Sequence, residues 1–204
     1  MSNLGVVNSV FVITLEQVRN IFDDYEVRGE GKHPVTIGER QVLNVSGKGR
    51  LGTAETLKLS VLFLPPAEQA KVDGYTFGLV AKNRTPADRK AYEDRSVGRI
   101  TARSNEVSFR VYLDQPEDDS VNIPPIAFEL MSQGGGRIRP TTQPTDYLVG
   151  GRDIIAAAAL AQNGQPLIFP LLSGSTPFLT NKMDQFSLIV NVDDVEETLA
   201  FQLK

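Results

Sequence analysis

The sequence contains no cysteine, no tryptophan and a single histidine, and these gaps exclude several kinds of chemistry. Without cysteine there is no disulfide, no thiol nucleophile, and no cysteine-ligated zinc or iron–sulfur cluster. One imidazole cannot supply a metal site built on two histidines, and a Ser-His-Asp triad would have to use His33. Glycines and a proline surround His33, so we interpret it as a solvated loop residue and not as a catalytic base.

Strong charge imbalance and membrane-spanning apolar runs are missing as well. The 204 residues carry 21 Lys and Arg against 25 Asp and Glu, a net charge of −4. The uncharged stretch 154–181 is interrupted by Pro166, Pro170 and Pro177, so we predict no membrane span. Gly31-Lys32 and Gly47-Lys48 are not followed by Ser or Thr, which excludes a phosphate-binding loop. We therefore expect no cofactor and no metal.

Short alternating apolar runs dominate the chain and predict its fold class. Phe109, Val111 and Leu113 alternate with polar or amphipathic residues, a spacing typical of a half-buried strand. Gly, Pro, Asn and Asp clusters separate such runs. We predict a mostly β protein, an antiparallel β-sandwich of immunoglobulin-like or jelly-roll-like type with one or two short helices. The predicted strands are 8–13, 41–45, 57–64, 74–81, 98–103, 107–113, 126–131, 167–172, 186–192 and 198–203, the last two forming a hairpin.

Two segments carry clear helix signals. Thr14 and Gln17 fit a capping box, and apolar residues follow at helical spacing. Asp153 to Gln162 contains four consecutive alanines and is followed by an Asn-Gly stop signal. The polar stretch from Pro86 to Glu93 is a third helical candidate.

An acidic, proline-containing segment from Asp114 to Pro125 predicts a domain boundary. We accordingly predict a β-rich domain over residues 1–120, with a short N-terminal helix, and a smaller sandwich-like domain over 121–204. One continuous domain is the alternative. In the second part, a Phe-Glu-Leu strand, a Gly-Gly-Arg-x-x-Pro loop and a closing Phe-x-Leu hairpin are similar to immunoglobulin-like modules of bacterial envelope proteins. This similarity of strand pattern covers under half of the chain, includes no diagnostic motif and does not assign the chain to that family.

Charged segments supply the candidate interaction surface. Residues 82–110 hold eight cations and four anions, whereas residues 111–130 and 184–204 each hold five acids. Few aromatic residues interleave with the cations and the whole chain is acidic, which argues against nucleic acid as the partner. Solvated, outward-facing side chains are the simplest interpretation of these charges. If the basic segment binds a partner, an acidic protein segment, including one from the chain itself, fits it better than nucleic acid. The candidate surface residues are Arg84, Arg89, Lys90, Arg95, Arg99, Arg103, Asp118, Asp119, Arg137 and Arg139.

From these observations we expect a non-catalytic structural or protein-binding module of a cell envelope or macromolecular assembly, acting through sheet edges and charged patches. The lack of cysteine suits the bacterial periplasm or envelope. A virion or phage-tail subunit is the first alternative. A hydrolase that uses a carboxylate pair is the second, because three adjacent pairs, Asp23-Asp24, Asp118-Asp119 and Asp193-Asp194, are present. An anion or nucleic-acid binder acting through Lys82 to Arg110 is the third.

Overall fold

The computed structural model describes residues 6–48, 53–81, 84–114, 122–144, 161 and 163–203. Within them the protein is mostly β, with 40% strand and 33% helix. A 3-10 turn at Ser9–Phe11 precedes three helices, which are α1 (Leu15–Glu30), α2 (Pro66–Val80) and α3 (Pro86–Ala102). The strands are β1 (Glu39–Lys48), β2 (Ala54–Phe63), β3 (Glu106–Asp114), β4 (Ile126–Ser132), β5 (Arg137–Ile138), β6 (Gln165–Pro170), β7 (Leu172–Ser173), β8 (Thr176–Pro177), β9 (Gln185–Val192) and β10 (Val195–Gln202).

These strands form two four-stranded antiparallel sheets and a small two-stranded one. The first sheet has the order β1-β2-β3-β6, the second has the order β10-β9-β4-β5, and β7 pairs with β8. Strand β6 follows the proposed boundary in sequence, yet it pairs with β3 of the first sheet, with Phe109 opposite Leu167. This pairing does not decide between the division at residue 120 and one continuous domain, so both stay predictions.

The two large sheets share one hydrophobic core. Alternate residues of both sheets contribute to it, as period-two burial requires. Phenylalanine rings meet across the sheets: Phe63 and Phe109 of the first sheet contact Phe186 and Phe201 of the second at centroid distances of 5.1–6.0 Å. Such aromatic contacts add stabilisation beyond the area they bury.

The three helices form a layer on the outer face of the first sheet. Leu62 and Tyr112 point away from the shared core and pack with Val72 of α2. A second apolar cluster of Val18, Ala70, Val97 and Ile100 joins α2 to the other two helices. The order of layers is thus helices, first sheet, shared core and second sheet.

Glycines allow α1 and α2 to pack backbone against backbone. A Cβ added at Gly74 would lie 2.3 Å from the carbonyl oxygen of Phe22, and one at Gly78 would lie 2.1 Å from that of Glu26. Any larger side chain at these positions would force the helices apart.

Three of the predicted strands are wrong. Residues 74–81 lie in α2 and at its end, residues 98–103 complete α3, and residues 8–13 contain the 3-10 turn capped by Asn8. Tyr75 and Phe77 flank Thr76 in a pattern that imitates strand alternation, but tertiary packing against α1 and α3 favours the helix. The other seven predicted strands overlap strands of the two large sheets, and 167–172 also reaches the first residue of β7.

The helical content exceeds the one or two short helices predicted. The helix start predicted from capping residues is confirmed, since Thr14 and Gln17 make a reciprocal capping box at the start of α1. The candidate helix at Pro86 to Glu93 is confirmed and continues to Ala102, starting from a second capping box between Thr85 and Asp88. The candidate helix at Asp153 to Gln162 lies outside the described residues, apart from Ala161.

Candidate interaction surface

The predicted basic segment places its arginines on two different sides of α3. Arg95, Arg99 and Arg103 recur at intervals of four residues, which puts them on one side of the helix. Arg84 lies next to them, because the ring of Phe77 under Arg84 contacts the ring of Tyr92 under Arg95 at a centroid distance of 5.0 Å. We call this surface the arginine face and define it by Arg84, Arg95, Arg99 and Arg103.

Aromatic rings support two of these guanidinium groups. The guanidinium carbon of Arg84 lies 5.7 Å from the ring centroid of Phe77, and that of Arg95 lies 5.8 Å from that of Tyr92. Arg95 also donates a hydrogen bond to the carbonyl oxygen of Ala91, one turn earlier in α3. Neither arginine has a carboxylate within ion-pair distance among the described residues. Stacked guanidinium groups of this kind are held in place while most of their donors stay free for a partner.

Arg99 has a structural role at the centre of the arginine face. It binds the carboxylate of Asp73, which is buried in α2 and also accepts a hydrogen bond from the Ser96 hydroxyl. This arrangement satisfies a buried charge, as the interior of a protein demands. Arg110 of β3 lies half-buried beside this group; burial, together with neighbouring Arg103 and Arg99, lowers its pKa.

Arg89, by contrast, lies on the side of α3 that faces α1. Arg89 binds Glu26 with Nε 2.8 Å from Oε2, binds Glu93 within α3 at 3.0 Å, and also reaches Asp23. Hydrogen bonding to Glu26 raises the pKa of Arg89. Lys90 pairs with Asp94 on the exposed surface at 3.4 Å. Arg89 thus fastens α3 to α1 and is unavailable to a partner.

Replacing Arg89 by methionine is expected to lower the free energy of unfolding by about 2 kcal/mol, because Glu26 would keep a buried carboxylate without its donor. Lys90→Met is the matched control. Lys90 follows Arg89 in α3 and its side chain is largely exposed, so we expect a change within about 0.5 kcal/mol. Urea unfolding followed by circular dichroism measures both. Equal effects for the two variants would contradict the role given to Arg89.

Arg137 lies in β5 of the second sheet and Arg139 directly follows that strand, whereas α3 belongs to the helical layer on the first sheet. Arg137 makes two hydrogen bonds to Glu196 of β10, at 2.8 and 2.9 Å, and lies 3.3 Å from Glu129 of β4. These groups span the outer face of the sheet, where Ile189 lies opposite Glu129 and is fully buried. Arg139 is 87% exposed and approaches Glu129 at 3.7 Å.

The Arg137–Glu196 pair predicts how the free energy of unfolding depends on pH. Hydrogen bonding from Arg137 lowers the pKa of Glu196, so the pair stabilises the folded protein above the ordinary glutamate pKa. That contribution is lost as pH falls through the lowered, folded-state pKa. We expect the stability difference between the wild type and Arg137→Gln to shrink below about pH 4 in urea titrations. Arg139→Gln should show no such change, and a constant Arg137→Gln difference down to about pH 2 would contradict the assignment.

An acidic hairpin tip lies at the end of the second sheet. Asp193 and Asp194 connect β9 to β10 and have φ angles of 49° and 66°, as in a tight two-residue turn. Asp193, Asp194 and Glu197 are exposed, and the part of the chain that the structure describes offers them no ion-pair partner. Val195 beside them is 57% exposed. We call Asp193, Asp194, Val195 and Glu197 the acidic hairpin. Asp118 and Asp119, the other predicted acids, fall outside the described residues.

Three described cavities differ in size and each has one acidic residue in its lining. The smallest lies between the end of α3 and the start of α2 and is lined by Glu106. Its volume of about 20 Å³ is enough for a single water molecule. Cavities of about 300 and about 520 Å³ are lined by Glu68 and Glu129 respectively.

Of the acid pairs suggested for a hydrolase, Asp23 and Asp24 are ion-paired with Arg89 and Arg28. The described residues hold no cluster of three or more metal-binding side chains.

No family model, no curated protein and no solved structure matches this chain. Among the described residues, none of the helices has the length and hydrophobicity needed to cross a membrane.

Sequence reasoning had identified the arginines of the arginine face, but it missed the groups that hold them. Phe77 and Asp73 of α2 reach this site through tertiary contacts, whereas Tyr92 lies three residues before Arg95 in α3. A helical interpretation of residues 74–81 places Asp73 and Phe77 one turn apart on the same side of α2, but it does not show which arginines they contact.

Proposed function

We propose that this chain is a non-catalytic structural or protein-binding β module of a macromolecular assembly, and that it binds an acidic protein segment through the arginine face. The observation that carries the proposal is the pair Arg84 and Arg95, each stacked on an aromatic ring and without a carboxylate partner in the described chain. We further propose that the two large sheets form a sandwich, because their phenylalanines meet across a common core.

Two features favour a protein partner over a small molecule. The arginine face is an exposed surface along α3, whereas ligand sites are usually enclosed and largely apolar. Arginine is also a residue enriched at the centre of protein interfaces, where bidentate contact with carboxylates gives specificity. Leu79 and Val80, at the end of α2 and shortly before Arg84 in sequence, are also exposed apolar residues.

A titration with a labelled acidic peptide of about twelve residues tests this proposal by fluorescence anisotropy. We expect binding that weakens steeply with salt, and a loss of at least about tenfold in affinity for the double variant Arg84→Gln, Arg95→Gln. The control is Lys48→Gln, Lys58→Gln, which removes the same charge from exposed positions of β1 and β2.

Equal losses in the two double variants would overturn the proposal, because binding would then follow net charge alone. A single-stranded oligonucleotide of equal charge serves as the competitor. Tighter binding of the oligonucleotide than of the peptide would instead favour the nucleic-acid alternative.

A further inference from the structure

The acidic hairpin and the arginine face lie in different layers of the fold. Arg84, Arg95, Arg99 and Arg103 belong to the helical layer on the outer side of the first sheet. Asp193 and Asp194 close the hairpin of β9 and β10, which belong to the second sheet. The first sheet and the shared core separate them, so one copy of the chain cannot bring these two surfaces into contact.

We propose that the acidic hairpin of one copy docks on the arginine face of the next, so that the chain assembles head to tail. This inference rests on the proposed function and names the partner of the same surface. Three carboxylates, those of Asp193, Asp194 and Glu197, meet guanidinium groups that the described chain leaves available. Charge complementarity of this kind steers encounter and fixes orientation.

Both surfaces are preorganised, which reduces the entropy lost on association. The carboxylates project from a two-residue turn whose backbone angles aspartate tolerates, at the end of a paired hairpin. The guanidinium groups of Arg84 and Arg95 rest on buried or half-buried rings. Val195, 57% exposed, supplies an apolar contact for Leu79 and Val80, which are 41% and 52% exposed.

The geometry of the assembly follows from the use of two different surfaces. When a surface binds a different surface of an identical copy, each copy keeps one free end for a further copy. Such contacts close into a ring or continue as a filament. A symmetric dimer made by a single self-complementary patch is not what this pairing produces.

A charge-swap experiment with the full chain tests the inference. Variant A carries Asp193→Asn, Asp194→Asn and Glu197→Lys, since asparagine tolerates the positive φ angles of the turn. Variant B carries Arg84→Glu and Arg95→Glu. At about 50 mM salt, variant A and variant B alone should each be monomeric by light scattering. In A the new lysine repels the arginine face, and in B the two new glutamates repel the acidic hairpin. An equimolar mixture should recover the mass of the wild-type assembly.

The control variant, Lys48→Glu with Lys58→Glu, changes the charge as much as variant B and should retain the wild-type mass. Circular dichroism and thermal unfolding establish that each variant is folded. Assembly of A or B alone at the wild-type mass, or folded variants that stay monomeric when mixed, would overturn the inference. A wild type that binds the acidic peptide but remains monomeric would also overturn it, while leaving the proposed function intact.

Discussion

Replacing Phe109 by alanine is expected to lower the free energy of unfolding by about 4 kcal/mol, the middle of the range for truncating a buried aromatic residue. Phe109 is 1% exposed and contacts four other phenylalanine rings, with Phe63 and Phe201 at 5.4 Å and Phe169 and Phe186 at 6.0 Å. It therefore joins the first sheet to the second. Its removal leaves a cavity in the core that both sheets line.

Urea unfolding measures this loss, with Leu15→Ala as the control. Leu15 is 53% exposed at the start of α1, so its truncation should change stability by no more than about 0.5 kcal/mol. A loss below about 1 kcal/mol for Phe109→Ala would contradict the shared core.

Replacing Gly78 by alanine should cost about 3 kcal/mol, although alanine is the better helix former. The added methyl carbon would lie 2.1 Å from the carbonyl oxygen of Glu26 and 2.9 Å from its carbonyl carbon. These are backbone atoms of α1, so relief requires that a whole helix move. The strain of overpacking then exceeds the gain in helix propensity.

Gly98→Ala is the matched control, because Gly98 also lies inside a helix but a Cβ added there would have no neighbouring atom within 4 Å. There the methyl group meets nothing and we expect stabilisation by about 0.5–1 kcal/mol. Opposite signs for the two glycines, measured by thermal or urea unfolding, are the expected result. Stabilisation by Gly78→Ala would show that α1 and α2 do not approach as closely as described.

Local sequence signals predicted those parts of the fold that depend on neighbouring residues. The capping box of Thr14 and Gln17 and the alternation of Phe109, Val111 and Leu113 were sufficient for α1 and β3. The closing hairpin followed from apolar alternation on both sides of Asp193 and Asp194. In each case the signal that fixes the element lies within a few residues of it.

Helix α2 could not be predicted in the same way, because its stability comes from packing. Gly74 and Gly78 are poor helix formers, and Tyr75, Thr76 and Phe77 favour strands. The glycines are needed for the contact with α1, and that contact becomes visible only once both helices are in place. The same reasoning applies to residues 98–103, where Ile100 packs into the cluster between the helices.

The sequence predicts which cations belong to the candidate surface. It does not predict which of them bind acids of the same chain and which stay available to a partner. Spacing alone places Arg95, Arg99 and Arg103 together. It does not show that Arg89 binds Glu26 of α1, or that Arg99 binds Asp73 of α2. Those acids are distant in sequence, so tertiary structure decides which arginines stay free for a partner.

The solution mass of the wild-type chain tests the central claim, association through charged surfaces, most directly. Light scattering at about 50 mM and about 500 mM salt compares conditions in which exposed charges interact and conditions in which they are screened. The account predicts an assembly larger than a dimer, or a polymer, at low salt that dissociates toward the 22.3 kDa monomer at high salt. A monomer at both salt concentrations would contradict it, as would an assembly whose mass is independent of salt.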